Sequence, residues 1–376
     1  MRFLAAIGTV LSLFLAAPIV GAADKEPVKI GVMAPVTGPW ASEGQDMVNI
    51  VKLLAEEFNK NGGANGRLVE IEVGDDGGDP KTASLAAQRL VSSEVVAVIG
   101  TYGSAITEAT QDIYADDDVL QIATGSTSIR LTEKKLPMFF RTSPRDDDQG
   151  RVLAKHVKAL GFKTVALVHD NSSYAKGLAG EVKAMMDEAG ILIVFFDAIT
   201  PGDRDYTTTL TKVKTMNPGA IIFTGYYPEA GMLLRQKKEM GWEVPMIGGD
   251  ATNNYALVDI AGKDAANGYY FISPPGPSDL TDEMSQKFLT EYKAQYKTQP
   301  SSVWSIMAGD AFKVLAVALQ NVEDPTSENL SEYLHNDLKG FTGFTGPIAF
   351  DQKGDRVGDV YRLYQVNADG AFVLVP

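Results

Sequence analysis

The chain contains no cysteine. Disulfides, thiolate metal sites, a cysteine nucleophile and a lipid-modified N-terminal cysteine are therefore excluded. Histidine is scarce, with three in the whole sequence. Beyond the leader described below, no run approaches the ~18 consecutive apolar residues of a membrane span. Positive charge is in deficit: the formal charge is −14, and it becomes −15 when Arg2, the one charged residue of the leader, is set aside. That balance argues against nucleic acid and anionic membrane surfaces as partners. It leaves the ligand's charge open, because a local pocket can oppose the global sign.

What is present begins with a leader. Arg2 gives a cationic start, Phe3 to Val20 is almost wholly apolar, and Val20-Gly21-Ala22-Ala23 offers small residues for cleavage. Residues 1–23 therefore read as a secretory signal peptide. With no lipid-accepting cysteine, the expected product is free in solution, and in a Gram-negative cell it lies in the periplasm. The remaining roughly 350 residues exceed what one hydrophobic core usually supports, so two lobes are expected.

Apolar strands alternate with amphipathic helices almost to the end, the pattern of parallel sheets with crossover helices. Strands are expected at Lys29–Met33, Val69–Val73, Val95–Ile99 and Leu120–Ala123, then at Thr164–His169, Leu192–Phe196, Ala220–Thr224 and Pro245–Gly248. The two sets share their grammar without a visible sequence repeat, which points to two similar doubly wound α/β lobes. A (β/α)8 barrel is the structural alternative. Against it, the turn-rich Ser273–Asp279 is followed by helices at Glu283–Tyr296 and Val303–Gln320, and by strand-like stretches at Gly346–Phe350, Val357–Val366 and Phe372–Val375. If these helices return to the first lobe and the last strands to the second, the chain crosses three times, near Arg141–Arg145, Ile272–Gly276 and Ala349–Asp351. The expected division is 24–142 plus 275–349 for lobe 1 and 143–274 plus 350–376 for lobe 2, around a three-strand hinge.

The sharpest local signal is a pair of strand-to-loop transitions, Val95 to Thr107 and Val119 to Ser128. Each sets small hydroxyl residues (Ser104 and Thr107; Thr124, Ser126 and Thr127) beyond the C-terminal end of a strand. In an open α/β sheet ligands bind at that edge, and a helix start offers free N–H groups to an anion. Successive strand ends of the second half deliver Tyr174, Tyr226, Tyr227 and Asp250. An acid facing anion-binding loops would complement an α-amino acid.

Other chemistries are weaker. Ser172, His169 and Asp170 contain the elements of a hydrolytic triad, but neighbours on one strand end cannot aim at one another, and no G-x-S-x-G elbow is present. Asp75-Asp76-Gly77-Gly78-Asp79 resembles a calcium loop but has Ala86 at the twelfth position. Asp116–Asp118 and Asp146–Asp148 read as solvated turns, and His335 as part of a polar turn.

Across essentially all of the mature chain the sequence resembles the leucine/isoleucine/valine-binding proteins, periplasmic solute receptors of ABC importers. The matching stretches run from Lys29-Ile30-Gly31-Val32, through Asp75-Asp76 with Asp79-Pro80, Asp112-Ile113-Tyr114, Val194-Phe195-Phe196-Asp197, Gly225-Tyr226-Tyr227-Pro228-Glu229 and Leu234-Arg235-Gln236, to Phe350-Asp351-Gln352-Lys353-Gly354-Asp355. The resemblance implies the type I periplasmic-binding fold, an amino-acid ligand taken by hinge closure, membrane ABC importer subunits as partners, a monomer, no cofactor or metal, and no catalysis. It assigns Ser104 and Thr127 to the ligand's carboxylate and amine region, Gly125 to the ammonium through its carbonyl, Tyr174 and Tyr226 to closure, and Asp250 to the ammonium. Gly78 and Gly103 stand where many relatives carry a cysteine pair, and Asp250 where leucine-binding members have Glu. Glu43 aligns with an aromatic residue at the ligand side chain and Tyr102 with a leucine, so these two are expected to set side-chain specificity. In the alternative, Glu43 turns to solvent and Trp40 or Tyr102 supplies the apolar wall. A sensor of the same fold, reporting a carboxylic acid or amide to a receptor, remains open at this point.

Overall fold

The structure, a computed structural model, describes residues 25–375; the expected leader lies outside them. The first half forms β1 (Val28–Ala34), α1 (Ala41–Lys60), β2 (Val69–Asp75), α2 (Pro80–Ser92), β3 (Ala97–Ile99), α3 (Ser104–Asp116), β4 (Leu120–Ala123), α4 (Arg130–Glu133) and β5 (Phe139–Arg141). The second forms α5 (Asp146–Ala159), β6 (Thr164–His169), α6 (Ser173–Ala189), β7 (Leu192–Ala198), α7 (Thr207–Thr215), β8 (Ala220–Thr224), α8 (Tyr227–Glu239), β9 (Met246–Gly248), α9 (Ala256–Ala261), α10 (Lys263–Ala266) and β10 (Tyr270–Ser273). The tail adds α11 (Glu283–Tyr296), α12 (Val303–Asn321), α13 (Ser327–Asn336), β11 (Phe341–Gly343), β12 (Gly346–Ile348), β13 (Arg362–Val366) and β14 (Phe372–Leu374).

Two separate sheets rule out the barrel. The first runs β2-β1-β3-β4-β5 and is wholly parallel. The second contains β7-β6-β8-β9-β10, the same order counted from its own first strand, followed by β13 and β14. Those last two are antiparallel, so the second sheet is mixed rather than purely parallel. In each lobe the order reverses beside the first strand, between β1 and β3 and between β6 and β8. Loops that leave these strand ends flank a crevice, the usual place for a ligand in an open α/β sheet.

The helices follow from their sequences. Met47, Ile50, Val51 and Leu54 form the buried stripe of α1, which packs on α12. That helix is apolar and long enough to cross a membrane, but 83 % of its apolar window is buried in the first lobe. Asp79 caps α2, its side chain accepting from the amides of Lys81 and Thr82, with Pro80 at the first helical position. Ser172 caps α6 by accepting from Ala175 N at 3.2 Å.

Several expectations are corrected. Gly346–Phe350 is a strand only to Ile348, and Val357–Val366 only from Arg362. Gly358 sits at φ +122°, a conformation that breaks a strand and suits only glycine. His335 lies in α13, not in a turn. Asp146–Asp148 form the first turn of α5, and Asp146 is 1 % exposed rather than solvated.

The chain passes from β5 into α5 through Thr142–Arg145, leaves β10 towards α11, and returns from β12 to β13. Buried ion pairs tie the first and third of these connections. Asp355 accepts from Arg141 Nε at 2.5 Å, Arg145 Nη1 at 2.7 Å and Thr132 Oγ1 at 2.9 Å. Arg356 donates to the carbonyls of Thr142, Thr345 and Pro347 and to the Thr345 hydroxyl.

Candidate functional site

The residues expected at the site converge on the crevice. Trp40 precedes α1, Tyr102 and Ser104 follow β3, and Gly125 and Thr127 follow β4. From the other lobe, Tyr174 follows β6, Tyr226 follows β8 and Asp250 follows β9. The lobes are closed on each other. Trp40 and Tyr226 pack across the crevice with ring centroids 4.2 Å apart and planes tilted by 34°, and Tyr102 lies 5.6 Å from Tyr226 and edge-on to Trp40 at 5.5 Å. Tyr174 joins the cluster 5.3 Å from Tyr226. Ser42 Oγ and the Tyr227 hydroxyl are 3.1 Å apart, and that hydroxyl donates to Pro39 O at 3.0 Å. On the opposite rim Arg130 Nη2 donates to Ser173 Oγ at 2.7 Å.

The first lobe supplies an anion-ready surface. Gly103 precedes α3 in an extended conformation, and the amides of Ile106 and Thr107 are the first to turn back, both to Gly103 O. The helix start at Ser104 therefore presents free N–H groups to the crevice. The two loops are locked together by hydroxyls: Thr107 Oγ1 and Ser126 Oγ lie 2.6 Å apart, Thr101 Oγ1 and Thr107 Oγ1 2.7 Å. Ser128 N donates to Ser104 Oγ at 3.2 Å. Thr127 is 1 % exposed, and its hydroxyl has no hydrogen-bond partner among the described residues. Gly125 is required by close packing, since a Cβ there would lie 2.6 Å from Tyr102 Cδ2 and 2.9 Å from Tyr102 O.

The glycines in place of a cysteine pair also have a local reason. A Cβ on Gly78 would sit 3.0 Å from Trp40 Cε3, and one on Gly103 would sit 3.1 Å from Trp40 Cζ3 and 3.2 Å from the Tyr226 hydroxyl. The indole of Trp40 lies over both glycines and bridges the loops there.

The second lobe supplies acid. Asp250 is fully buried and accepts from the hydroxyls of Tyr174 at 2.8 Å and Tyr361 at 2.7 Å. Gln149 Oε1 receives the Asp250 amide at 2.9 Å. Burial pushes the Asp250 carboxyl up to about 6, while hydrogen bonds from Tyr361, Tyr174 and Gln149 oppose the rise.

A second acid was missed in the sequence. Both carboxylate oxygens of Asp146 are buried without a hydrogen-bond partner of good geometry, although its amide donates to Thr127 O at 3.0 Å. Burial, and then the charge of Asp250, hold its carboxyl well above the usual range; the Thr127 hydroxyl and Arg141 act in the opposite sense. Asp146 thus stands between the Thr127 loop and Asp250. In sequence it is the first of three aspartates at a helix start, and only the turn of α5 decides that it alone points inward.

Glu43 is fully buried, not turned to solvent. Its two oxygens lie 2.6 and 2.5 Å from Ser302 Oγ, and one accepts from Asn254 Nδ2 at 3.2 Å, a bond between lobes. Burial drives its carboxyl up to about 8, against the Ser302 hydrogen bond and with help from Asp46. Asn254 and Tyr361 are not among the residues expected from the sequence, and Trp40 is expected only as the alternative apolar wall.

The hydrolytic triad does not assemble. His169 Nδ1 accepts from Asn171 N at 3.1 Å and its ring packs against Phe196. Ser172 Oγ caps α6, and Asp170 accepts from the amides of Ser172 and Tyr226. In the calcium-like loop, Asp79 caps α2 and Asp75 accepts from Thr37.

The comparisons with known proteins agree with this fold. The family described as periplasmic binding protein matches residues 27–371. A leucine-, isoleucine-, valine-, threonine- and alanine-binding protein of Pseudomonas aeruginosa is 33% identical over 363 residues, 95% of each chain. A Leu/Ile/Val-binding protein of Rhizobium johnstonii is 33% identical over 342 residues, 91% of this chain and 92% of that one. Among solved structures, the branched-chain amino acid transporter substrate-binding protein LivJ of Streptococcus pneumoniae, in complex with isoleucine, superimposes with a TM-score of 0.85 at 29% identity, covering 93% of this chain and 99% of that one. The leucine-binding protein LivK of Thermotoga maritima gives a TM-score of 0.84 at 26% identity, covering 93% and 98%. The chain belongs to the periplasmic binding protein family and has its two-lobed fold.

Proposed function

We propose that the protein is an amino-acid receptor that closes around its ligand and delivers it to a membrane ABC importer, working as a soluble monomer in the periplasm. The observation that carries the reading is the split polarity of the closed crevice. One wall is a helix start with free amides at Ser104, beside the Thr127 hydroxyl; the other is a pair of buried carboxylates, Asp146 and Asp250. A zwitterion fits that division, with its carboxylate on the first lobe and its ammonium towards the second.

In this reading Ser104 and Thr127 hold the carboxylate, and the Gly125 carbonyl and the two aspartates receive the ammonium. Tyr174 and Tyr226 close the crevice, with Trp40 as their counterpart from the first lobe. Charge-assisted hydrogen bonds in a site dried by closure supply the affinity, and the ligand biases an open–closed equilibrium. No step of covalent chemistry is required of any residue. The relatives' names extend from leucine, isoleucine and valine to threonine and alanine, so family membership leaves the ligand's side chain open.

Isothermal titration calorimetry with amino acids tests the reading. Ser104→Ala is expected to weaken binding by more than about tenfold, the loss of one hydrogen bond to a charged group. Unchanged affinity would remove this crevice from the proposal.

A further inference from the structure

The aromatic lining of the crevice contains polar atoms that no described residue satisfies. Tyr102 is 2 % exposed and its hydroxyl has no hydrogen-bond partner among the described residues. Trp304, in the first turn of α12 and 1 % exposed, has an indole N–H in the same condition. The two rings lie 6.5 Å apart. Tyr102 also packs against Gly125 and stands 5.6 Å from Tyr226 of the other lobe, so it belongs to the crevice wall with Trp304 beside it.

Glu43 completes this corner. Ser302 links the group: its Oγ contacts both oxygens of Glu43 and receives Trp304 N at 3.1 Å. The corner thus holds one obligate donor (the indole N–H), one group that donates or accepts (the phenol), and one carboxyl.

Different side chains fare differently against these groups. Methyl groups leave the indole N–H and the phenol unpaired when the lobes close, which is costly in a dry site. An ammonium or guanidinium offers donors only, so Trp304 still lacks an acceptor. A carboxylate offers acceptors only and brings into a dry site a charge that none of these groups pairs. A hydroxyl or a carboxamide can accept from Trp304 and still donate to Tyr102 or Glu43.

We infer that the ligand is an amino acid whose side chain carries a hydroxyl or carboxamide, recognised by Tyr102 and Trp304 beside Glu43. This rests on the amino-acid reading given above.

Two nearly isosteric pairs test it by calorimetry on the mature chain: threonine against valine, and asparagine against leucine. In at least one pair the polar member is expected to bind at least about tenfold tighter. Tyr102→Phe and Trp304→Phe should each shrink that ratio towards one without weakening the apolar member, a readout that a purely structural role would not move. Circular dichroism confirms folding of both variants. Equal or tighter binding of the apolar member in both pairs overturns the inference while leaving the amino-acid reading intact. Failure of all four to bind overturns the amino-acid reading and this inference with it.

Discussion

Glu43 of the first lobe and Asn254 of the second are joined by a hydrogen bond of 3.2 Å across the closed crevice, with Glu43 fully buried. An acid in that position makes closure depend on its protonation. The carboxyl titrates near 8 in the closed form, against an ordinary value of 4.5, because burial disfavours its charge. For a group raised in this way, the stabilisation is complete below the ordinary value and is lost as pH rises through the folded value. Opening the lobes would rehydrate Glu43, so its ionisation favours the open form.

Asp250 acts in the opposite direction on binding. Burial raises it to about 6, and the ligand's ammonium needs it charged. Below about 6 the two groups oppose each other, so affinity is expected to stay roughly level there, to fall between about 6 and about 8 by up to about tenfold per pH unit, and to level off above. Titration calorimetry across that range checks the profile. Glu43→Gln should remove the fall and leave a climb towards about 6 followed by a plateau; a fall between about 6 and about 8 that persists in this variant contradicts the role given to Glu43.

The two buried aspartates are expected to differ. Asp250 already accepts from two tyrosine hydroxyls, whereas the carboxylate oxygens of Asp146 have no hydrogen-bond partner of good geometry among the described residues. Asp146→Asn should weaken amino-acid binding at least as much as Asp250→Asn, by one to two orders of magnitude, as expected for lost charge-assisted bonds of roughly 1.5–3 kcal/mol. It should also reduce the preference for an amino acid over the same molecule without its amine. Full affinity in the Asp146 variant would make that residue a bystander.

At the hinge, Asp355 is the counter-charge of Arg141, which is fully buried. Asp355→Ala strands that guanidinium, and removal of one partner of a buried pair typically costs ~3–5 kcal/mol. Denaturant unfolding should show a midpoint shift of that size. A change below ~1 kcal/mol would mean that this network is not what ties the crossings.

Much of this was legible before any coordinates. Strand positions came within a few residues because buried parallel strands write themselves as short apolar runs between turns, as in Leu120–Ala123 and Ala220–Thr224. The strand-end hydroxyls, the tyrosines and Asp250 could be placed at one edge because the C-terminal ends of parallel strands share a side. What escaped was decided by side-chain direction over single turns. Asp146, Asp147 and Asp148 look alike in sequence, yet only Asp146 is buried without an evident partner. Trp40 looked like an optional wall, whereas Gly78 and Gly103 leave room for its indole over both loops. Glu43 as a bond between lobes required Asn254, more than two hundred residues away in the chain. The antiparallel β13 and β14 depended on where the third crossing delivers the chain, which no local pattern encodes.

Thermal unfolding against a ligand panel is the most direct test of an amino-acid receptor that closes around its ligand. At ~1,000 times its dissociation constant, a cognate amino acid should stabilise the protein by ~4 kcal/mol and raise the midpoint accordingly, while its analogue without the amine should not. If no amino acid moves the midpoint and carboxylic acids lacking an amine do, the ammonium roles of Asp146 and Asp250 are wrong, and the crevice serves a different class of ligand.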